Sequence, residues 1–491
     1  MTTTAEVATA RTARAHAPRS VLVVGGSGFV GRHLVPHLAA RGSAVRVLAR
    51  NTRRAEAEAW QGVELLCGDA TDRACLRPAL AGVEVAYYLV HSMTAGKRFP
   101  DLDRTAAETF ADAAREAGVR RIIYLGGLAP RDVDTVHLAS RVETGEILRR
   151  KHPEVVELRA GIIIGPGSAA FEVMRDLVAN LPVMLTPRWV RSLSPPIALD
   201  DLLAQLEALG TLEGVAGAVI ETAGPDRLSY EEMMLRLADA LGKRRPLIIR
   251  VPLLTPELSA YWIEFVTSTP APIARALITG LKHDLSANKD PRLEAVAPAR
   301  IGFDEAVRRA FARERERLSG GRWREGAFDL RGMRHEVAYY GVAMRHVRPS
   351  TPSAEALWRS LERFGTREAG ALSLRPLWAI RRALERVFGG EIAPPRQPGP
   401  FRPGERFDVW RVHGAFPPTS LVLLSTLRAP GAGGFEFAIE DEGARRVVSA
   451  AIHWHPRGFW GLMYWYVLAP FHRLVLASLT LAIVRGAERS G

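Results

Sequence analysis

The chain has 491 residues, 47% of them apolar, which is enough to build two substantial hydrophobic cores. Its formal net charge of +13 rests on 66 basic residues, only five of them lysine (Lys97, Lys151, Lys243, Lys282 and Lys289). Acids interleave with the arginines throughout, so the charge reflects arginine usage and not a nucleic-acid-binding stripe. Cys67 and Cys75 are the only cysteines, too few for a disulfide framework or a cysteine zinc site, and a reducing, cytoplasmic setting is expected.

Residues 1–18 are rich in alanine, threonine and arginine, carry the single acid Glu6 and lack the apolar run of a secretory signal. They read as a flexible tail, with a transit peptide as the alternative. Next comes Val21-Leu-Val-Val-Gly25-Gly-Ser-Gly28-Phe-Val-Gly31, an apolar strand that runs into glycines three apart and then into a helix. The three glycines differ in what they allow. Gly25 permits the tight turn, Gly28 lets the backbone approach a pyrophosphate, and Gly31 lets the helix sit close on the strand. The second strand, Ala44–Ala49, ends in Arg50, where an acid would hold the ribose 2′-hydroxyl of NAD. Arg50, with Arg53 and Arg54 behind it, offers a fork to a 2′-phosphate instead, so the expected cofactor is NADP(H).

Apolar runs at Val63–Cys67, Val83–Val90, Arg121–Leu125 and Val155–Ile164 alternate with helical stretches such as Leu102–Ala117. That rhythm predicts an α/β fold, a doubly wound parallel sheet covered on both faces. Pro36 departs from the ideal, because inside the first helix it removes a hydrogen bond or kinks the chain. After the arginine-rich stretch Arg308–Arg324 the pattern changes. Segments such as Phe435–Ile439 and Val447–Trp454 alternate, with the turn Ala429-Pro-Gly-Ala-Gly-Gly434 before them, and predict an α+β domain of antiparallel strands. The expected domains are therefore 19–325 and 326–491.

Together the glycine motif, Val-Arg-Val-Leu-Ala-Arg50, Cys67-Gly-Asp69, Tyr87-Tyr-Leu-Val-His91-Ser-Met, Ile123-Tyr-Leu-Gly-Gly127, Leu158-Arg-Ala-Gly-Ile-Ile-Ile-Gly-Pro-Gly167 and Pro195-Pro-Ile-Ala-Leu-Asp-Asp201 resemble an atypical, extended-type short-chain dehydrogenase/reductase of the NmrA-like and epimerase-like kind. The resemblance covers roughly residues 19–300 and implies a Rossmann-like core with a small substrate-side lobe. It implies a cofactor site of Gly25, Ser27, Gly28, Phe29, Val30, Gly31, Arg50, Asp69 and His91. The C-terminal part, with Phe407-Asp-Val-Trp-Arg-Val412, Gly434-Phe-Glu-Phe and Pro456-Arg-Gly-Phe-Trp-Gly-Leu-Met-Tyr-Trp-Tyr466, resembles an uncharacterised domain often fused to such reductases and, more loosely, the helix-grip fold of START-like and polyketide-cyclase proteins, which often encloses an apolar cavity.

Family members that reduce carbonyls use a tyrosine as acid and a lysine four residues later. The matching stretch here is His137-Leu-Ala-Ser-Arg141, which places His137 and Arg141 one helical turn apart. Histidine donates a proton near neutrality and arginine can hold a cofactor, so the pair is a catalytic candidate. Tyr124 and His91 with Ser92, at strand ends, are rival proton donors. Such a chain reads as an NADP(H)-dependent oxidoreductase acting on a lipophilic carbonyl or unsaturated compound. A non-catalytic NADP(H)-binding sensor or scaffold is the alternative, and a membrane-surface lipid carrier a third.

Two features lie near the C-terminus. His453 and His455 share one face of a strand, a metal-compatible spacing that lacks a third ligand nearby, so a structural or cavity-lining role is expected and no metal. The apolar runs Gly458–Phe471 and Leu474–Val484 are parted by His472 and Arg473, and each is too short to span a bilayer. A buried helix is expected there, its aromatics forming core or cavity wall, with peripheral membrane contact second.

Overall fold

A computed structural model describes residues 18–50, 60–92, 98–130, 135–251, 267, 277, 283–318, 342–366, 393–427, 429–442, 445–456 and 458–489. The expected tail, Arg53, Arg54 and the expected boundary near residue 325 lie outside these residues. The chain divides into two compact units, one of Met1–Phe171, Arg188–Arg236 and Arg275–Phe311, the other of Glu172–Pro187, Leu237–Ala274 and Ala312–Gly491.

In the first unit, β1 (Ser20–Val24), β2 (Ala44–Ala49), β3 (Glu64–Cys67), β4 (Val85–Tyr88), β5 (Arg121–Gly127), β6 (Val155–Ala160) and β7 (Val219–Thr222) form one sheet. Its order is β7-β6-β5-β4-β1-β2-β3, and every pairing is parallel. The reason is visible in β1: Val21 and Val23 face one core, Leu22 and Val24 face another, and none of these side chains tolerates water. On the first face α1 (Phe29–Ala39) and α5 (Leu199–Leu209) supply Leu34, Leu38, Leu202 and Leu206. On the second, α2 (Arg73–Leu80), α3 (Phe99–Glu116) and α4 (Val136–Lys151) supply Leu76, Phe110 and Leu148.

Two expectations are refined. Pro36 lies inside α1, which continues past it to Ala39 because the proline falls in the last turns, where one lost amide bond is tolerated. The apolar run Val155–Ile164 is two strands, β6 and the short Ile163–Ile164, which pairs with Ile197–Ala198. The break falls at Gly161, where a Cβ would collide with the Pro195 carbonyl oxygen, so a neighbouring loop forces the bend.

The second unit holds an antiparallel sheet of β8 (Val342–Ser350), β9 (Arg406–Phe407), β10 (Trp410–Phe416), β11 (Ser420–Ser425), β12 (Gly431–Glu442) and β13 (Arg445–Pro456). Its order is β8-β13-β12-β11-β10-β9. One face buries Val412, Leu423, Phe437 and Ile452 against α6 (Ala354–Leu361) and α7 (Gly458–Glu488). Helix α7 is long and apolar enough to cross a membrane, yet Leu476, Leu479 and Ile483 are buried in this core.

Close approach fixes α1 on β1. A Cβ at Gly31 would come within 2.5 Å of both the Gly25 carbonyl oxygen and the Gly26 Cα, and backbone has little room to yield. Gly31→Ala is therefore expected to destabilise the chain by about 1–3 kcal/mol in urea unfolding.

Candidate functional site

Parallel sheets bind ligands beyond the carboxyl ends of their strands, at the point where strand order reverses. Here that point lies between β1 and β4. The chain leaves β1 through Gly25, whose φ of +84° suits glycine and whose Cβ would stand 2.9 Å from the Leu89 carbonyl oxygen just after β4. Gly28 then caps α1 with no side-chain hydrogen bond, leaving the first-turn amides of Phe29, Val30 and Gly31 without a side-chain acceptor. A Cβ on Gly28 would meet only the Gly25 oxygen, at 3.1 Å, so its glycine is not demanded by the protein interior. A capless helix start beside an open glycine turn fits a pyrophosphate.

Arg50 follows β2 with an exposed side chain, its Nε 4.0 Å from the Asp69 carboxylate. Asp69 is itself engaged, accepting from the Thr71 amide and hydroxyl at 2.9 Å in a tight turn. Arg50 therefore has a loose partner and a guanidinium facing solvent.

Beyond β4 and β5 lies a cluster only partly anticipated from the sequence. His91 Nδ1 is 2.7 Å from Asp103 Oδ2, and His91 Nε2 is 2.9 Å from His137 Nδ1. Asp103 also accepts from the Ser92 amide at 2.8 Å and from the Ser140 hydroxyl at 3.3 Å. The structure thus unites His91, Ser92 and His137, which the sequence offered as rivals. Asp103 was missed. Its signal was present, since on α3 it lies in register with the buried Ala106, Ala107 and Phe110, a charge inside an apolar stripe.

The other two candidates are tied to backbone. Tyr124 donates its hydroxyl proton to the Arg141 carbonyl at 3.0 Å, and Arg141 Nη2 donates to the Leu125 carbonyl at 2.6 Å. Burial also pushes the Tyr124 hydroxyl above its usual range. In the second unit, His453 pairs with Glu436 at 2.9 Å, the His455 side chain lies outside the described residues, and no metal-holding cluster occurs among those described.

Burial of the two rings sets their charge. His91 is pushed below its ordinary value by desolvation, against the pull of Asp103. His137 falls to about 3 through desolvation first and then repulsion from His91 and Arg141. Burial pushes the Asp103 carboxyl up, but its bonds to His91 and the Ser92 amide outweigh that and hold it below the usual carboxylate range. At neutral pH the cluster is a carboxylate with two neutral rings.

A family model described as NAD(P)H-binding matches residues 25–160. Residues 25–160 of the N-terminal unit are thus similar to NAD(P)H-binding domains. A second model, described as a protein of unknown function (DUF2867), matches residues 338–479. The chain is 28% identical over 293 residues to a Caulobacter vibrioides protein named ceramide reductase, covering 58% of this chain and 90% of that one. It is 29% identical over 269 residues to a Streptomyces griseus protein named (4-alkanoyl-5-oxo-2,5-dihydrofuran-3-yl)methyl phosphate reductase, covering 52% and 84%. A Stigmatella aurantiaca protein named as a ketoreductase of a farnesyl-bearing dihydroquinoline oxide is 30% identical over 156 residues, covering 30% of this chain and 46% of that one.

The depressed histidines make folding pH-dependent. Unfolded imidazole protonates near 6.5, whereas folded His137 stays neutral down to about 3, so the unfolded chain binds the extra protons. Stability is present above pH 6.5 and is lost progressively as pH falls towards 3. Urea midpoints measured at pH 7 and pH 5 are expected to differ less in His137→Gln than in the wild type.

Proposed function

We propose that the chain is an NADP(H)-dependent oxidoreductase that reduces a lipophilic carbonyl or unsaturated compound within residues 19–325. The observation that carries this reading is the place of the histidine pair. Gly25 of the dinucleotide turn abuts Leu89, two residues before His91, and His91 is hydrogen-bonded to His137. Proton-handling groups thus stand beside the cofactor turn, where a reduction needs them.

A bound nicotinamide supplies the hydride. The chain's own residues do the rest: the α1 amides and glycines hold the pyrophosphate, Arg50 selects a 2′-phosphate, and the histidine pair manages the proton. His137 and Arg141 take the places of the tyrosine and lysine used by other members of the resembled family. Arg141, fastened to the Leu125 carbonyl, then serves as a holder and not as the acid. A lipophilic substrate is supported by the names of the three relatives, each of which describes a molecule with an alkanoyl, ceramide or farnesyl portion. Residues 326–491, in the manner of a helix-grip domain, would hold or shield that substrate.

Cofactor choice tests the first half of the reading. NADPH should bind more tightly than NADH in calorimetry, by about 1.5–3 kcal/mol for a charge-assisted phosphate contact, and Arg50→Asp should narrow or reverse the gap. Turnover tests the second half: NADPH absorbance should fall when long-chain keto-lipids, quinones or steroid-like ketones are added. NADPH binding with no oxidation across that panel would replace the enzyme by the sensor or scaffold.

The same reading gives α7 a peripheral contact with an anionic membrane surface while the protein remains cytoplasmic. Trp460, Val467 and Leu474 stand seven residues apart on one face and are 69%, 68% and 61% exposed. Exposed Arg473 lies beside them, and Glu488, at the far end, is the only acid of the helix. Apolar and aromatic side chains with basic flanks suit a headgroup boundary. The full chain is expected to stay in the supernatant of a vesicle-free spin yet float with phosphatidylglycerol vesicles and not with phosphatidylcholine ones, and Val467→Asp should stay at the bottom of the gradient.

A further inference from the structure

We propose that Asp103, His91 and His137 form a directional proton relay, in which the carboxylate fixes the tautomer of both rings and presents a lone pair on His137 Nε2 as the group that exchanges a proton with the substrate oxygen. The proposal deepens the reductase reading and rests on it. The direction follows from donor and acceptor counting. An ionised carboxylate only accepts, so the 2.7 Å contact is made by a proton on His91 Nδ1. A neutral ring protonated at Nδ1 has a lone pair at Nε2, so the 2.9 Å contact between the rings is made by a proton on His137 Nδ1. His137 Nε2 then carries the lone pair that ends the chain. No described residue hydrogen-bonds to it, and it is not among the sealed unpartnered atoms of the interior.

Asp103 cannot reverse this order. Its oxygens face the Ser92 amide, the Ser140 hydroxyl and His91, donors that can all be satisfied only by an acceptor. The neighbouring Tyr124 and Arg141 are committed to backbone carbonyls, which leaves His137 as the acid–base group of the cluster.

A nicotinamide held at the Gly25–Gly31 turn would supply the hydride to the carbonyl carbon, and the chain's own residues would supply the proton that the carbonyl oxygen then needs. The oxygen takes the proton from Nε2 of the protonated form of His137, a minor form at neutral pH because burial holds the ring far below its ordinary range; the N–H bond breaks towards nitrogen, the ring returns to its neutral resting form, and a solvent proton is consumed each time the protonated form is renewed. While His137 is charged, its Nδ1–H remains on His91 and the Asp103 charge stabilises it through that ring without taking up a proton. His137 is thus the catalytic residue, and His91 and Asp103 are positioning residues.

The test uses the full chain labelled with ¹⁵N-histidine, read by long-range proton–nitrogen correlation near pH 7. Both His91 and His137 should show a protonated Nδ1 and an unprotonated Nε2. In Asp103→Asn the new amide donates to His91 Nδ1, so His91 should switch to its Nε2–H form and drive His137 to Nε2–H as well. On a substrate that turns over, His137→Phe should lower kcat by about a hundredfold and Asp103→Asn by about tenfold, with KM for NADPH little changed. Should Asp103→Asn fail to fold, His91→Phe serves: it removes the acceptor of His137, whose Nδ1–H form should no longer be enforced. A wild-type His91 protonated at Nε2, or a His137 tautomer indifferent to these variants, overturns the relay even if NADPH is oxidised. A wild type with no turnover overturns the reductase reading and with it the proton-exchange role, whatever the tautomers show.

Discussion

Backbone contact without side chains, at Gly25 and Gly31, is the constraint on which the N-terminal unit depends. β1 is central in the sheet, flanked by β2 and β4, and its exit turn touches both α1 and the segment leaving β4. A side chain at either glycine would meet backbone and not a yielding rotamer. Because Leu89 is held against that turn, His91 inherits a defined position two residues later. The glycines therefore do more than shape a turn: they set the distance between that turn and the only histidine pair hydrogen-bonded to each other among the described residues.

Buried charge is the second organising feature. Asp103 is 3% exposed, and such a carboxylate is tolerable only when donors replace water. It sits in the second turn of α3, and three donors converge on it. Glu157 of β6 follows the same logic, buried and paired with Arg149 and Arg159. There, Gly126 and Gly145 act differently from the glycines of the turn. A Cβ at either would press on the Glu157 carboxylate, so they make room for a buried ion pair and not for a backbone bend.

The C-terminal unit is governed by apolar area in place of close backbone contact. Helix α7 is apolar nearly all round, and its sheet can cover only one side, through Leu476, Leu479 and Ile483. Gly461 and Gly486 let the helix come close, to the Pro430 carbonyl near one end and to Ser360 of α6 near the other. Trp454 reinforces the first approach by donating its indole proton to the Gly461 carbonyl at 2.9 Å. The opposite side of the helix keeps large apolar side chains in solvent, an arrangement that packing within the unit does not explain.

Local physics wrote much of this fold into the sequence. Continuous apolar runs identified β2 with its exact bounds and placed β3, β4 and β5, because a strand buried on both faces admits almost nothing but apolar residues. The glycine spacing identified the turn out of β1, where Gly25 takes a left-handed φ and Gly31 a contact that no side chain fits. What the sequence left open were events between distant segments. The run 155–164 looked like one strand until the Pro195 carbonyl met Gly161, and Asp103, His91 and His137 come from three separate elements. His91 was legible alone as a strand end and His137 as one turn of a helix, while Asp103 was not singled out at all. Tertiary structure decided their partnership, because a hydrogen bond between residues 46 positions apart exists only after α3 and α4 have packed on the same face of the sheet.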